Sequence, residues 1–138
     1  MTKSAQTAQA IRKELKASFP GIRFSVTSHN FAGGDSVHVG YDNGVPSEQV
    51  TKVVGKYEYG HFDGMTDCYE FSNHREDIPQ AKYVQVQRNV TNDVRNRLKD
   101  EIARKFGIAD AGDEQEWQRV FHSWSDQVIW REASSLTF

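Results

Sequence analysis

The sequence predicts an α+β domain in which a small antiparallel sheet is covered by helices. Three observations point there. Apolar residues recur at helical spacing over 8–19 and 94–106, they alternate with polar residues over 22–27, 36–41 and 83–87, and turn-forming glycine, proline and asparagine separate these stretches. The expected order is α-β-β-α-β-β-α-α within a single domain of residues 1–138.

The first helix is expected from about Ser4 to Phe19, where Ile11, Leu15 and Phe19 form a stripe that Ala8 extends. Pro20-Gly21 stops it, because proline cannot continue the hydrogen-bond ladder. Ile22, Phe24 and Val26 then alternate with Arg23, Ser25 and Thr27, and Val37, Val39 and Tyr41 alternate with Ser36, His38 and Gly40. Phe31 to Asp35 is read as the Gly-rich turn of an antiparallel hairpin. After the break at Asp42-Asn43-Gly44, Ser47 is a candidate N-cap for a helix that buries Val50, Val53, Val54 and Tyr57. Residues 60–66 read as an ordered loop, 67–72 as a strand and 82–88 as another. Thr91 caps a helix whose Val94, Leu98, Ile102 and Phe106 repeat every four residues up to Gly107. A last helix is expected from Asp113 to about Glu132, striped by Trp117, Val120, Phe121, Trp124 and Val128.

The chain has 138 residues, 37% apolar and 26% charged, with eight Phe, five Tyr and three Trp, which excludes a disordered chain. One cysteine, Cys68, excludes an internal disulfide framework. No apolar run reaches the ~18–20 residues of a membrane span, and the first residues lack a signal-peptide core. A soluble, cytoplasmic protein is expected. The formal net charge of −2 argues against coating nucleic acid by bulk electrostatics. Charge is blocked, however, with residues 81–109 basic and both 61–80 and 110–138 acidic.

Each candidate for chemistry has a plainer reading. His61, Asp63, Asp67, Cys68 and His74 lie close in sequence and include zinc-ligating atoms, but no Cys-x-x-Cys or His-x-x-x-His pair stands among them. Cys68 is flanked by Asp67 and Glu70, which would raise its pKa rather than activate it. Asp63, Asp67 and Glu70 could form an acid/base set, though turn carboxylates more often cap backbone NH groups. Gly33-Gly34-Asp35-Ser36 precedes a strand, so it lacks the helix N-terminus of a phosphate cradle. No catalytic residue, metal or cofactor is assigned. The loop of interest is His61, Phe62, Asp63 and Asp67, and it is read as a structural turn in which Phe62 and Met65 are buried. Arg95, Arg97, Lys99 and Arg104 give the 91–106 helix a basic exterior. Trp130 and the terminal Phe138 exceed what one helix face needs. These six residues are the candidate partner contacts.

The segments Ala10-Ile11-Arg12-Lys13-Glu14-Leu15-Lys16, Phe19-Pro20-Gly21-Ile22-Arg23-Phe24-Ser25-Val26 and Gly33-Gly34-Asp35-Ser36-Val37 share a family pattern with Gly55 to Asp67, whose Phe62-Asp63-Gly64-Met65 is distinctive. Tyr69-Glu70-Phe71 and Lys82-Tyr83-Val84-Gln85-Val86 continue it. Together they resemble the large polyvalent protein-associated domains, type twenty-nine, over about residues 8–90, with 91–138 as an additional helical part. The resemblance implies an origin in phages or conjugative elements and carries over no catalytic residue. The leading expectation is a non-enzymatic protein that binds a host protein, such as a defence complex. The alternative is a nucleic-acid-binding accessory factor, and a small hydrolase or nuclease stands third. A homodimer is a further expectation, and no membrane partner is expected.

Overall fold

The computed structural model describes residues 2–63 and 68–138, with 61–63 and 68–70 described by their backbone alone. The fold is α+β, and its chain divides into two compact units, residues 1–42 with 47–88 and residues 43–46 with 89–138.

The first unit opens with α1, Lys3–Ser18, capped by the Thr2 hydroxyl, which accepts from the Ala5 N–H at 3.2 Å. Ala8, Ile11 and Leu15 point inward from it, as their spacing predicts. Strands β1, Ser25–Phe31, and β2, Gly34–Asp42, pair antiparallel with Val26 opposite Val39 and Phe31 opposite Gly34. The hairpin is tighter than the sequence suggested. Strand β1 begins at Ser25 rather than Ile22 and runs through Phe31, leaving Ala32-Gly33 as a two-residue connection. Gly34 makes this closure workable. Its φ is +145°, and a Cβ there would stand 2.6 Å from Lys82 Cδ.

Helix α2, Ser47–Val54, runs into a 3₁₀ turn at Gly55–Tyr57, and Val50, Val54 and Tyr57 are buried. The 60–66 stretch is not all loop, because β3, His61–Asp63, pairs antiparallel with β4, Cys68–Glu70. The expected burial of Phe62 and Met65 lies outside the described residues. Strand β5, Tyr83–Asn89, completes a three-stranded sheet in the order β1-β2-β5. Val37, Val39 and Tyr41 of the central strand share the core with α1 and α2. A carboxylate fastens these helical segments, since Glu14 accepts hydrogen bonds from Lys56 Nζ and Tyr57 Oη, both at 2.5 Å.

The second unit is helical. Helix α3, Asn92–Lys105, follows Thr91, which stands at the cap position but spends its hydroxyl on Asp93 and Asn43 rather than on a helix N–H. Gly107, at φ +74°, ends it as the sequence predicts. The single last helix expected from the aromatic stripe is instead two: α4, Glu114–Phe121, and α5, Ser125–Ala133. His122 turns left-handed at φ +56°, and Ser125 begins a new helix. The Glu114 carboxylate holds the corner, accepting from the Ser125 N–H at 2.9 Å and from its hydroxyl at 2.7 Å. Leu98, Ile102, Ile108, Trp117, Val128 and Ile129 form the core, with Trp117 Nε1 donating to the Ala111 carbonyl at 3.0 Å.

Candidate functional site

Helix α1 packs on one face of the β1-β2-β5 sheet. On the other, Thr27, His29 and Phe31 of β1 stand beside Ser36 and His38 of β2 and Tyr83 and Gln85 of β5. Phe31 and Tyr83 stack with ring centres 6.2 Å apart, and the His29 and His38 rings meet edge to face at 5.2 Å. Elsewhere in the unit, Tyr59 and Phe71 stack almost parallel, at 5.4 Å and an interplanar angle of 1°. A groove of about 520 Å³ runs past them, lined also by Lys3, Asn30, Gly34, Asp35 and His74. Lys3 Nζ lies 5.8 Å from the Tyr59 ring centre, and Lys82 Nζ lies 5.6 Å from that of Tyr83. Asp35 accepts from the Lys82 backbone N–H at 2.8 Å. Burial, with the nearby Asp35 carboxylate, pushes the Tyr59 phenol above its ordinary value.

Sequence reasoning missed this cluster. Placing Phe31 in the turn hid its place on the same strand face as His29. The signal was present, because Thr27, His29 and Phe31 keep one parity if the strand is carried to its end.

In the helical unit, Trp117 is fully buried while Trp124 is 55% and Trp130 74% exposed. Trp117 stacks on Phe121 at 5.5 Å. Trp124 leaves the expected stripe because it occupies the extended residue before α5. Trp130 stands over a groove of about 480 Å³ with Ser123, Asp126, Gln127 and Arg131. Phe138 is exposed, and its N–H donates to the Gly44 carbonyl at 2.7 Å.

The four basic candidates of α3 do not form one surface of free charge. Lys99 is ion-paired to Glu114 at 3.5 Å and Arg95 is half-buried, while Arg97 and Arg104 are exposed among Asp93, Asp100 and Glu101. Ser125's hydrogen bonds outweigh partial burial at Glu114 and, with Lys99, hold its carboxyl below the ordinary range. The loop residues His61, Phe62, Asp63 and Asp67 lie outside the described side chains. No group of three metal-ligating side chains gathers among the described residues.

The large polyvalent protein associated domain 29 family matches residues 2–97. The chain belongs to this family. The family's span takes in all of the sheet unit and reaches into α3, whereas α4, α5 and all three tryptophans lie beyond it. Membership places the chain with the polyvalent proteins associated with phages and mobile elements. No curated protein and no solved structure matches the chain. No helix among the described residues is long and apolar enough to cross a membrane.

Proposed function

We propose that this chain is a non-enzymatic protein of a phage or other mobile element that acts by occupying a host protein in the bacterial cytoplasm, with α5 as the anchor. The observation that carries this reading is Trp130. Its indole is 74% exposed while Trp117, thirteen positions earlier, supplies the core of the same unit. An aromatic of this size has roughly 150–250 Å² to bury, and tryptophan is enriched among the few residues that dominate binding energy. Ser123, Asp126, Gln127 and Arg131 form a polar rim around it, the arrangement of an interface centre. The acidic excess of residues 110–138 would steer a basic partner. A defence complex is the class of host target that a mobile-element protein of this family suggests.

Affinity capture from nuclease-treated bacterial lysate, with wild type and Trp130→Ala in parallel, tests the reading. One host protein should be retained near stoichiometrically by the wild type and lost from the variant, with equal melting temperatures for the two. Equal capture by both variants, or retention that nuclease abolishes, would refute it. So would a stable homodimer that hides Trp130.

A further inference from the structure

We infer that the groove beside the tip of the β1-β2 hairpin is a binding site for a free guanine nucleotide, separate from Trp130. Asn30 of β1 and Asp35 of β2 face one another in the hairpin register, and both line this groove of about 520 Å³. Directly opposed strand residues stand roughly 4.5–5.5 Å apart at Cβ, so the two polar groups lie side by side. Each is held in place. Asp35 Oδ1 accepts from the Lys82 backbone N–H at 2.8 Å, and Asn30 Oδ1 accepts from the Ser4 hydroxyl at 2.9 Å. With its oxygen so engaged, Asn30 offers its amide N–H groups as donors. Asp35 offers only acceptors, its second oxygen and the remaining lone pair of the first.

A carboxylate beside an amide donor complements one base edge. Guanine presents two adjacent donors, N1–H and the 2-amino group, next to the O6 acceptor. The Asp35 carboxylate takes the two donors, and the Asn30 amide gives to O6. Adenine and cytosine fit worse, because the ring nitrogen beside their amine is an acceptor that would meet the carboxylate. Uracil has one donor between two acceptors. Tyr59 and Phe71 provide the stacking surface, parallel at 5.4 Å, with Phe71 68% exposed. The exposed Lys3 ammonium, 5.8 Å from the Tyr59 ring centre, and the exposed His74 imidazole line the same groove. They are the groups that meet the phosphate. The volume falls within the range of small-ligand sites. An arginine guanidinium would also satisfy Asp35 and lie on Phe71, but it has no acceptor for Asn30 and Lys3 repels it.

The test is isothermal titration calorimetry of the full chain with GMP, AMP, IMP and XMP. GMP should bind with a Kd below about 1 mM and at least about 10-fold more tightly than AMP. IMP, which lacks the 2-amino group, should fall between them. Asp35→Asn keeps an oxygen for the Lys82 N–H and puts a donor in place of an acceptor. It should therefore prefer XMP to GMP, because xanthine has a carbonyl where guanine has the amine. Phe71→Ala should weaken GMP binding about 5- to 150-fold. Lys3→Gln should weaken GMP binding and leave guanosine binding unchanged. Trp130→Ala should bind GMP like the wild type, which separates this site from the protein-binding reading. An RNA of roughly six nucleotides with one internal guanosine should bind no more tightly than GMP. Thermal melts check folding. If Asp35→Asn is unfolded, Asn30→Asp, which sets an acceptor against O6, takes its place and should weaken GMP binding at least about 10-fold. Absence of GMP binding at about 1 mM overturns the inference. So do AMP or free arginine binding as tightly as GMP, tighter binding of the RNA, folded Asp35→Asn or Phe71→Ala protein with the wild-type profile, or loss of GMP binding in Trp130→Ala.

Discussion

The two units handle their aromatic residues in opposite ways. In the sheet unit the core is mainly aliphatic, built on Ile11, Leu15, Val37, Val39, Val50 and Val54 with the rings of Tyr41 and Tyr57 beside them. The exposed Phe31 and Phe71 are each stacked on a tyrosine with a lysine nearby. In the helical unit one indole, Trp117, fills the core, and the exposed indoles, Trp124 and Trp130, belong to none of the ring pairs seen among the described residues. The reason lies in the elements available. A sheet face is flat and aligns side chains from neighbouring strands, so rings meet side by side. Three short helices leave a small central space that one large side chain can fill, and residues at helix starts or outer faces stay exposed. A flat array of rings suits planar ligands, and a lone projecting indole suits a pocket on another protein.

The largest expected effect is on the core of the helical unit. Trp117→Ala should cost about 3–5 kcal/mol, seen as a lower urea midpoint. Leu15→Ala should cost about 2–5 kcal/mol in the sheet unit. Hydrogen exchange on both variants sharpens the contrast. Protection should fall first over residues 92–133 for Trp117→Ala and over 3–54 for Leu15→Ala. An identical pattern for the two would break the distinction between units.

Gly34→Ala comes next. The positive φ and the 2.6 Å approach to Lys82 Cδ should together cost more than ~1 kcal/mol. Because Phe31 pairs with Gly34 in the hairpin register, a thermal melt should show the loss in the same variant whose Phe31–Tyr83 stack is disturbed.

The smallest effects concern one carboxylate in each unit. Burial opposes ionisation of Glu14, but hydrogen bonds from Lys56 and Tyr57 prevail and its folded pKa lies below the ordinary 4.5. Glu114 is lowered too, through Ser125 first and Lys99 after it. A carboxyl whose folded pKa is depressed contributes stability that is fully present above its unfolded value. That contribution is lost as pH falls through the lowered folded value. Glu14→Gln and Glu114→Gln should therefore each destabilise at neutral pH, by about 1 kcal/mol for the partly exposed Glu114. Both should flatten the decline in melting temperature below about pH 4.5, relative to wild type. A variant with an unchanged acid limb would remove its carboxylate from the account.

Much of the fold is legible in the residues. The stripes of α1 through Leu15 and of α3 through Ile102, the stops at Pro20-Gly21 and Gly107, and the alternation of β2 and β5 are local signals that tertiary structure leaves intact. Phe106, expected to end the α3 stripe, instead lies past the helix and is 49% exposed. The α4–α5 break is not local. Trp117, Phe121, Trp124 and Val128 keep helical spacing straight through it, and only the bonds from Ser125 back to Glu114 reveal the corner. The start of β1 was misplaced for a related reason, since Ile22 and Phe24 alternate like strand residues but precede the ladder with β2. The ring pairs were illegible because Phe31 meets Tyr83, and Tyr59 meets Phe71, through strand order and loop path rather than any spacing along the chain. Exposure of Trp130 was legible, as it falls outside the apolar stripe.

The central claim is that the helical unit spends one indole on its own core and offers another to a partner. Urea midpoints and captured-partner yield, measured together on Trp117→Ala and Trp130→Ala, test it most directly. The account predicts that Trp117→Ala loses about 3–5 kcal/mol of stability, while Trp130→Ala keeps the wild-type midpoint within about 0.5 kcal/mol and loses the partner. A Trp130→Ala protein that unfolds as readily as Trp117→Ala, or that retains the partner in wild-type yield, would contradict it.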